Sequence, residues 1–203
     1  MYQHVADMLA EPDVVRLRPR LSVLRFECMK VVSALAVVES LLKDGTVAEG
    51  DTLIDSSSGL YALSLALACS RYGLRCHIVA SPAVDPALMV QLVALGVTVE
   101  RPGGTGDAAF DQAARVERVR QVVAENPHAH WMRQYHDARH RLGYETVAQS
   151  VARELDVPSL LLVGGVGSGA STAGMRDGFR KAGVETSVVA VHRSVASRST
   201  APT

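Results

Sequence analysis

The sequence predicts an α/β fold in which a mostly parallel sheet is covered by helices on both faces. Short apolar, β-branched runs alternate along the 203-residue chain with segments whose apolar residues recur at helical spacing. Glycine follows several of the helical segments, as it commonly does where helices end. The run Leu-Leu-Leu-Val at 160–163 is continuously apolar, which is typical of a strand buried on both faces of a parallel sheet.

The predicted elements follow one another in strand–helix order. Each strand is a short apolar run bounded by turn residues. Strands are predicted at 21–27, 52–55, 75–80, 97–100, 159–163 and 186–191. Each helix has apolar residues three and four positions apart. Helices are predicted at 31–43, 59–72, 85–95, 113–126, 143–155 and near 173–182. In such sheets ligands bind at the carboxyl ends of strands, so the loops that follow strands are the candidate sites.

Composition excludes several classes of protein. The 21 Lys and Arg residues balance the 21 Asp and Glu residues, which is unlike a general nucleic-acid binder. No apolar run approaches the ~20 residues that span a bilayer, and the first residues lack the pattern of a signal peptide. The three cysteines are too few for a secreted disulfide framework, and Cys69 and Cys76 are predicted to be buried thiols. We therefore expect a cytoplasmic protein with neither a nucleic-acid nor a membrane partner.

A glycine-rich loop at 164–172 directly follows the apolar strand and precedes a helix. Glycines let a backbone approach a ligand closely, and the amides at a helix start suit a phosphate group. The hydroxyl groups of Ser168, Ser171 and Thr172 are further donors. The loop has no P-loop lysine, and Thr172 stands where the dinucleotide-binding motif needs glycine. The alternative interpretation is a tight turn built from small residues.

Two more segments carry candidate chemistry. The loop at 55–61 follows a strand, and its hydroxyl groups and helix-start amides are suited to an anion such as a substrate carboxylate. Its alternative role is simple helix capping by Ser57 or Ser58. Lys30 stands where a strand passes into a helix. It is either a solvated charge or an amine that forms a Schiff base with a carbonyl cofactor.

Taken together, these motifs resemble those of the fold type II pyridoxal-phosphate enzymes, the group of cysteine synthase and cystathionine β-synthase. The similarity covers nearly the whole chain. Lys30 and Gly45 keep the spacing of the family's lysine and the glycine after its helix. The segment 57–62, Ser-Ser-Gly-Leu-Tyr-Ala, matches the family's substrate loop, and Gln134-Tyr135 its Gln-aromatic pair. The segment 167–171, Gly-Ser-Gly-Ala-Ser, matches its phosphate cradle.

The resemblance implies the tryptophan synthase β-like fold, with a partial large domain of residues 1–44 and 132–203 and a small domain of residues 45–131. It implies that pyridoxal phosphate is bound through Lys30, which also moves substrate protons. The implied phosphate ligands are Gly165, Gly167, Ser168, Gly169, Ser171 and Thr172. The implied ligands of the amino-acid carboxylate are Ser57, Ser58, Gly59 and Gln134. The expected activity is β-replacement or β-elimination on a serine- or cysteine-type amino acid, by a homodimer.

The sequence also departs from the family pattern. Val31 and Val32 follow the lysine in place of Asp-Arg, and Leu60 and Asp137 replace two asparagines. The chain is short for the family and closes on a polar tail at 194–203. These departures leave three alternatives: a divergent enzyme, a catalytically impaired relative that works by binding a partner, or a truncated chain.

A cluster of histidines offers a competing constellation. His136 and His140 have the spacing that places two imidazoles on one helix face, as in some zinc sites. The segment lacks the Glu of the H-E-x-x-H motif and a distant third ligand, so no metal is expected.

Overall fold

The computed structural model describes residues 1–192, apart from the side chains of residues 108 and 109. Its α-helices are α1 (Val5–Leu9), α2 (Met29–Lys43), α3 (Leu60–Tyr72), α4 (Pro86–Ala94), α5 (Ala108–Glu125), α6 (Leu142–Leu155) and α7 (Ala170–Lys181). Its strands are β1 (Asp13–Arg18), β2 (Leu21–Arg25), β3 (Thr52–Ser56), β4 (Arg75–Val79), β5 (Thr98–Glu100), β6 (Ala129–Trp131), β7 (Ser159–Gly165) and β8 (Glu185–Val191). A short 3-10 helix, Ala138–Arg141, precedes α6. The predicted tail at 194–203 lies outside the described residues.

The central sheet has four parallel strands in the order β5-β4-β3-β6. Helices α2, α3 and α4 cover one face around Leu53 and Ile78, and α5 covers the other around Ile54 and Val79. The predicted layering of helices on both faces of a parallel sheet is therefore confirmed. All four strands lie within residues 52–131. The division into two domains at residues 44 and 132 stays a prediction.

Three elements were not expected from the sequence pattern. Strand β1 is the first: it forms an antiparallel hairpin with β2, the strand predicted at 21–27, with Asp13 opposite Arg25. Strand β6 has three residues and becomes a strand by pairing with β3, with Trp131 opposite Ile54. Helix α1 has five residues, too few to show an apolar period. In the described range, no helix combines the length and the apolar character that crossing a membrane requires.

Strand β7 corrects one expectation. It pairs in parallel with β8, but its side chains alternate between half-buried and exposed. Leu160 and Leu162 pack on the core of α6 and α7, whereas the side chains of Leu161 and Val163 are each 60% exposed. The apolar run is therefore not buried on both faces among the described residues, because helices cover only one side of this two-stranded sheet.

Two glycines set how closely the helices approach each other. A Cβ on Gly143 in α6 would lie 2.3 Å from the carbonyl oxygen of Val32 in α2. A Cβ on Gly174 in α7 would lie 2.6 Å from the carbonyl oxygen of Arg141. Such distances leave no room for any side chain at these positions. Helix α6 and the turn before it therefore hold the amino-terminal halves of α2 and α7 in one region.

Candidate active site

Lys30 lies in the first turn of α2, where the chain comes out of strand β2. The side chain is half-buried, and burial lowers the pKa of its amine, opposed in part by the nearby Cys28 thiol. Val31 and Val32 are buried in the core, which anchors this turn. The hydroxyl group of Tyr144 in α6 donates to the carbonyl oxygen of Met29 over 3.0 Å. The lysine therefore has a fixed backbone and an amine that gives up its proton more readily than an exposed one.

The glycine-rich loop connects β7 with α7. Gly169 caps the helix at φ +81°, a left-handed conformation that favours glycine. No side chain among the described residues caps this helix start, so the first-turn amides remain free to donate. Added Cβ atoms on Gly165, Gly167 and Gly169 would meet nothing within 4 Å. The loop thus combines free helix-start amides with open space, as a phosphate ligand requires.

The hydroxyl-bearing residues of this loop are half-buried: Ser168, Ser171 and Thr172. The Thr172 hydroxyl lies 3.2 Å from where a Cβ on Gly164 would stand, so its side chain covers the end of β7. Met29 lines the same groove as Gly165 and Thr172. The structure therefore brings the residue next to Lys30 and the glycine-rich loop to one groove.

The second predicted loop follows β3. Ser57 and Ser58 are half-buried, Gly59 is exposed, and α3 starts at Leu60 without a capping side chain. The Ser58 hydroxyl oxygen accepts the backbone N–H of Ser81, which leaves its own proton free for a ligand. Neither serine caps the helix, which leaves the first amides of α3 available to an anion.

Gln134 is buried at the same end of the sheet as Ser57. Its side-chain amide donates one hydrogen to the carbonyl oxygen of Ser56 over 3.5 Å, which leaves the second hydrogen free. Its backbone N–H donates to Asp55. The structure thus places Gln134 beside the loop with which the sequence grouped it, and both lie outside the groove of the glycine-rich loop.

Asp55 was not predicted as a functional residue. Its side chain is 4% exposed, and it accepts hydrogen bonds from Ser56, Trp131 and Gln134. Burial raises the pKa of its carboxyl group, while these donors and His136 act to lower it. The sequence signal was an aspartate at the end of a buried strand, directly before the serine loop.

His140 is also buried, and both ring nitrogens have partners. Nε2 lies 3.1 Å from the carbonyl oxygen of Met132, and Nδ1 lies 2.9 Å from the hydroxyl group of Ser33. Because Ser33 is one helical turn after Lys30, this histidine connects the lysine helix with the segment before Gln134. His136 lies in a turn and not on the same helix face. Within residues 1–192, no three His, Cys, Asp or Glu side chains are placed to hold a metal ion.

Two departures from the family pattern have defined surroundings. Leu60 is 62% exposed at the helix start, while Tyr61 is buried with its ring edge against His140. Burial raises the pKa of Tyr61 well above its ordinary value, and its hydroxyl group has no hydrogen-bond partner in the described part of the chain. Asp137 caps the 3-10 helix by accepting the N–H of Arg139 at 2.8 Å. Asp137 therefore has a structural role.

A desolvated lysine, a glycine-rich cradle at a helix start and a serine loop with a glutamine define a class of protein. It is that of enzymes which hold a phosphorylated carbonyl cofactor. Comparison with known proteins identifies the family within this class. The family of pyridoxal-phosphate dependent enzymes matches residues 25–202, and the chain belongs to this family.

Individual relatives agree with this assignment. The chain is 33% identical over 156 residues to N-(2-amino-2-carboxyethyl)-L-glutamate synthase of Ralstonia nicotianae, covering 76% of this chain and 46% of that protein. It is 31% identical over 144 residues to cystathionine beta-synthase of Oryctolagus cuniculus, covering 70% and 26% respectively. The chain thus spans half or less of the length of these relatives. The resemblance to the cysteine synthase and cystathionine β-synthase group is confirmed.

The fold agrees as well. The crystal structure of a cysteine synthase from Entamoeba histolytica superposes with a TM-score of 0.76 at 18% identity, over 89% of this chain and 57% of that one. At this identity the likeness shows the fold, which confirms the expected pyridoxal-phosphate enzyme architecture.

The residues present fit pyridoxal phosphate at its phosphate group and at its aldehyde. The open space over Gly165, Gly167 and Gly169 and the free amides of α7 suit the phosphate group. The half-buried amine of Lys30, with its lowered pKa, suits the aldehyde. The assignment of individual ligands stays a prediction.

Proposed function

We propose that this protein carries out pyridoxal-phosphate dependent β-replacement on a serine- or cysteine-type amino acid. The observation that carries the proposal is that α6 packs against both the first turn of α2, which contains Lys30, and the first half of α7, which follows the glycine-rich loop. The relatives named as synthases of amino acids support the same reaction type. β-Elimination uses the same residues and is the neighbouring outcome when no second substrate is bound.

Each group of residues has a separate role in the proposed reaction. When bound, the cofactor supplies an electron sink that stabilises negative charge on the substrate's α-carbon. The Lys30 amine would hold the cofactor through its aldehyde, and with its lowered pKa it would be suited to accept the proton of the substrate's α-carbon and to return one. The α7 start and its glycines hold the phosphate, which fixes the cofactor relative to Lys30. Ser57, Ser58, Gly59 and Gln134 bind the substrate carboxylate.

The spectrum of the purified protein with added pyridoxal phosphate tests this proposal. We expect the visible absorption band of the lysine-bound cofactor in the wild type and its loss in Lys30→Ala. Lys43→Ala, on the exposed end of the same helix, is the matched control and keeps the band. Absence of the band from the wild type, or its persistence in Lys30→Ala, contradicts the proposal.

A second candidate is a family member that works by binding another polypeptide. The observation that favours it is the exposed face of β7 and β8, where Leu161, Val163 and Val191 are each at least half exposed. An exposed apolar face of this kind is typical of a protein–protein interface. The partner that we propose for this face is a second copy of the chain, which would cover it in a homodimer acting in the cytoplasm. Light scattering tests it: the wild type is expected as a dimer, and Leu161→Lys with Val163→Lys as a monomer. A wild-type monomer contradicts it.

A further inference from the structure

We propose that Asp55 is a positioning residue for the substrate carboxylate: it fixes the backbone of Gln134 against the end of β3, where the serine loop begins. This proposal rests on the proposed function, in which Gln134 and the serines bind the carboxylate of the amino acid. It adds a residue that the family resemblance did not supply.

The two oxygens of Asp55 serve different partners. Oδ1 accepts the backbone N–H of Ser56 at 2.8 Å and the indole N–H of Trp131 at 3.0 Å. Oδ2 accepts the backbone N–H of Gln134 at 3.1 Å. Ser56 immediately precedes the serine loop. One carboxylate therefore joins the residue before the loop to the glutamine that acts with it.

The buried carboxylate of Asp55 has a desolvation cost, and its hydrogen bonds offset only part of it. The side chain is 4% exposed, and no Lys, Arg or His nitrogen in the described residues lies within ion-pair distance of it. A buried carboxylate without a cation is unfavourable even when it accepts hydrogen bonds. Burial accordingly raises the pKa of Asp55. An aspartate at this position therefore has to be explained by what its oxygens hold in place.

The side chain of Gln134 depends on the same attachment. Its Nε2 reaches the carbonyl oxygen of Ser56, and Asp55 holds its backbone N–H, so both ends of the residue are tied to β3. The second N–H of Nε2, which has no partner among these contacts, is therefore held in a defined position. Because a displacement of about 1 Å in a positioning group can cost up to ~10²-fold in rate, a small loss of order here has a large effect.

The substitution Asp55→Asn separates the two oxygens. Asparagine keeps one oxygen for Ser56 and Trp131, but it turns an N–H2 group toward the N–H of Gln134, which repels it. Trp131→Phe is the matched control, because it removes one donor to Oδ1 and leaves the contact with Gln134. Asp55→Glu is a second variant, which keeps the charge and moves the oxygens by one methylene, roughly 1.5 Å.

The readout is discrimination between two ligands of the holoenzyme, L-serine and 2-aminoethanol, which differ by the carboxylate alone. Binding is followed by the change in cofactor absorbance, with urea unfolding to establish that each variant is folded. We expect Asp55→Asn to weaken L-serine binding about tenfold, because the displaced Gln134 side chain loses its hydrogen bond to the charged carboxylate of the ligand. Binding of 2-aminoethanol, which has no carboxylate, is expected to stay unchanged. Trp131→Phe is expected to keep the wild-type ratio.

The outcomes separate the two proposals. A wild type that binds cofactor but does not prefer L-serine to 2-aminoethanol contradicts the carboxylate site, and with it the proposed function. A wild type with that preference, retained in full by folded Asp55→Asn or Asp55→Glu, overturns the role of Asp55 alone. Equal weakening of both ligands, or loss of folding in both Asp55 variants, assigns Asp55 to general stability and overturns it as well.

Discussion

Replacement of Gly178 by alanine tests the packing that places the glycine-rich loop. Gly178 lies in the middle of α7, where a Cβ would stand 2.3 Å from the carbonyl oxygen of Glu145, 2.7 Å from its Cα and 2.8 Å from the Cβ of Ala148. Ordinary contact begins at 3.4 Å, so the helices must separate by roughly 1 Å. Two of the three atoms belong to the α6 backbone and have no rotamer in which to move away.

Two opposing terms decide the effect on stability. Alanine favours a helix interior over glycine by about 1 kcal/mol, which taken alone predicts stabilisation. Overpacking typically costs about 1–3 kcal/mol, and contacts this short belong at the upper end. We expect a net loss of about 2 kcal/mol in the free energy of unfolding, or about 4–8 °C in melting temperature for a chain of this size.

Urea unfolding followed by circular dichroism measures the difference. Gly103→Ala is the control: its Cβ meets nothing within 4 Å, its φ is not positive, and it is exposed, so a change within about 0.5 kcal/mol is expected. A Gly178→Ala protein at least as stable as the wild type refutes the close α6–α7 approach and, with it, the argument that this approach positions the start of α7.

Three further predictions follow from burial. Burial lowers the pKa of Lys30, whereas the hydrogen-bonded ion pair with Glu145 raises the pKa of Lys181. The Lys30 amine should therefore react with an aldehyde reagent at lower pH than the Lys181 amine does. Peptide mass spectrometry across a pH series measures both reactions, and the reverse order contradicts the lowered pKa of Lys30. Burial lowers the pKa of His140 in the folded protein, so as pH falls the unfolded chain protonates this histidine before the folded protein does. The free energy of unfolding should therefore decrease as pH drops below about 6.5. Nitrogen NMR should show a titration midpoint for His140 below that of an exposed histidine, and a higher midpoint contradicts the lowered pKa. The three thiols are each less than 10% exposed, so a thiol reagent should label them slowly until urea is added; rapid labelling of the folded protein contradicts their burial.

Much of the fold could be predicted from local patterns. The helix over Leu60–Tyr72 was placed within one residue, because its apolar spacing is regular and Gly73 ends it in a left-handed conformation. The start of α5 was placed at 113 and lies at Ala108, since the polar first turn carries little apolar signal. Strand β6 was missed for a similar reason, because three residues without alternation become a strand only through their neighbour.

The site shows the same division. Lys30, the glycine-rich loop and the serine loop could be predicted as site residues because each has a residue type and a position at a strand end that the proposed chemistry needs. Asp55 and His140 were not recognised as connecting groups, because their partners lie 76 or more residues away along the chain in the pairs Asp55–Trp131, Asp55–Gln134 and Ser33–His140. A sequence pattern contains no record of such pairings.

The sequence by itself determined most of the alternation of strands and helices, the mostly parallel character of the sheet and the family to which the chain belongs, since these depend on local periodicity and on short motifs. Only the tertiary structure decided which faces are buried. Strand β7 reads as wholly apolar, yet Leu161 and Val163 are exposed because helices pack on one side only. It also decided that glycines in α6 and α7, which weaken helices by propensity, lie where no side chain fits. Burial and close approach depend on which two segments pack together, whereas a local sequence pattern describes one segment at a time.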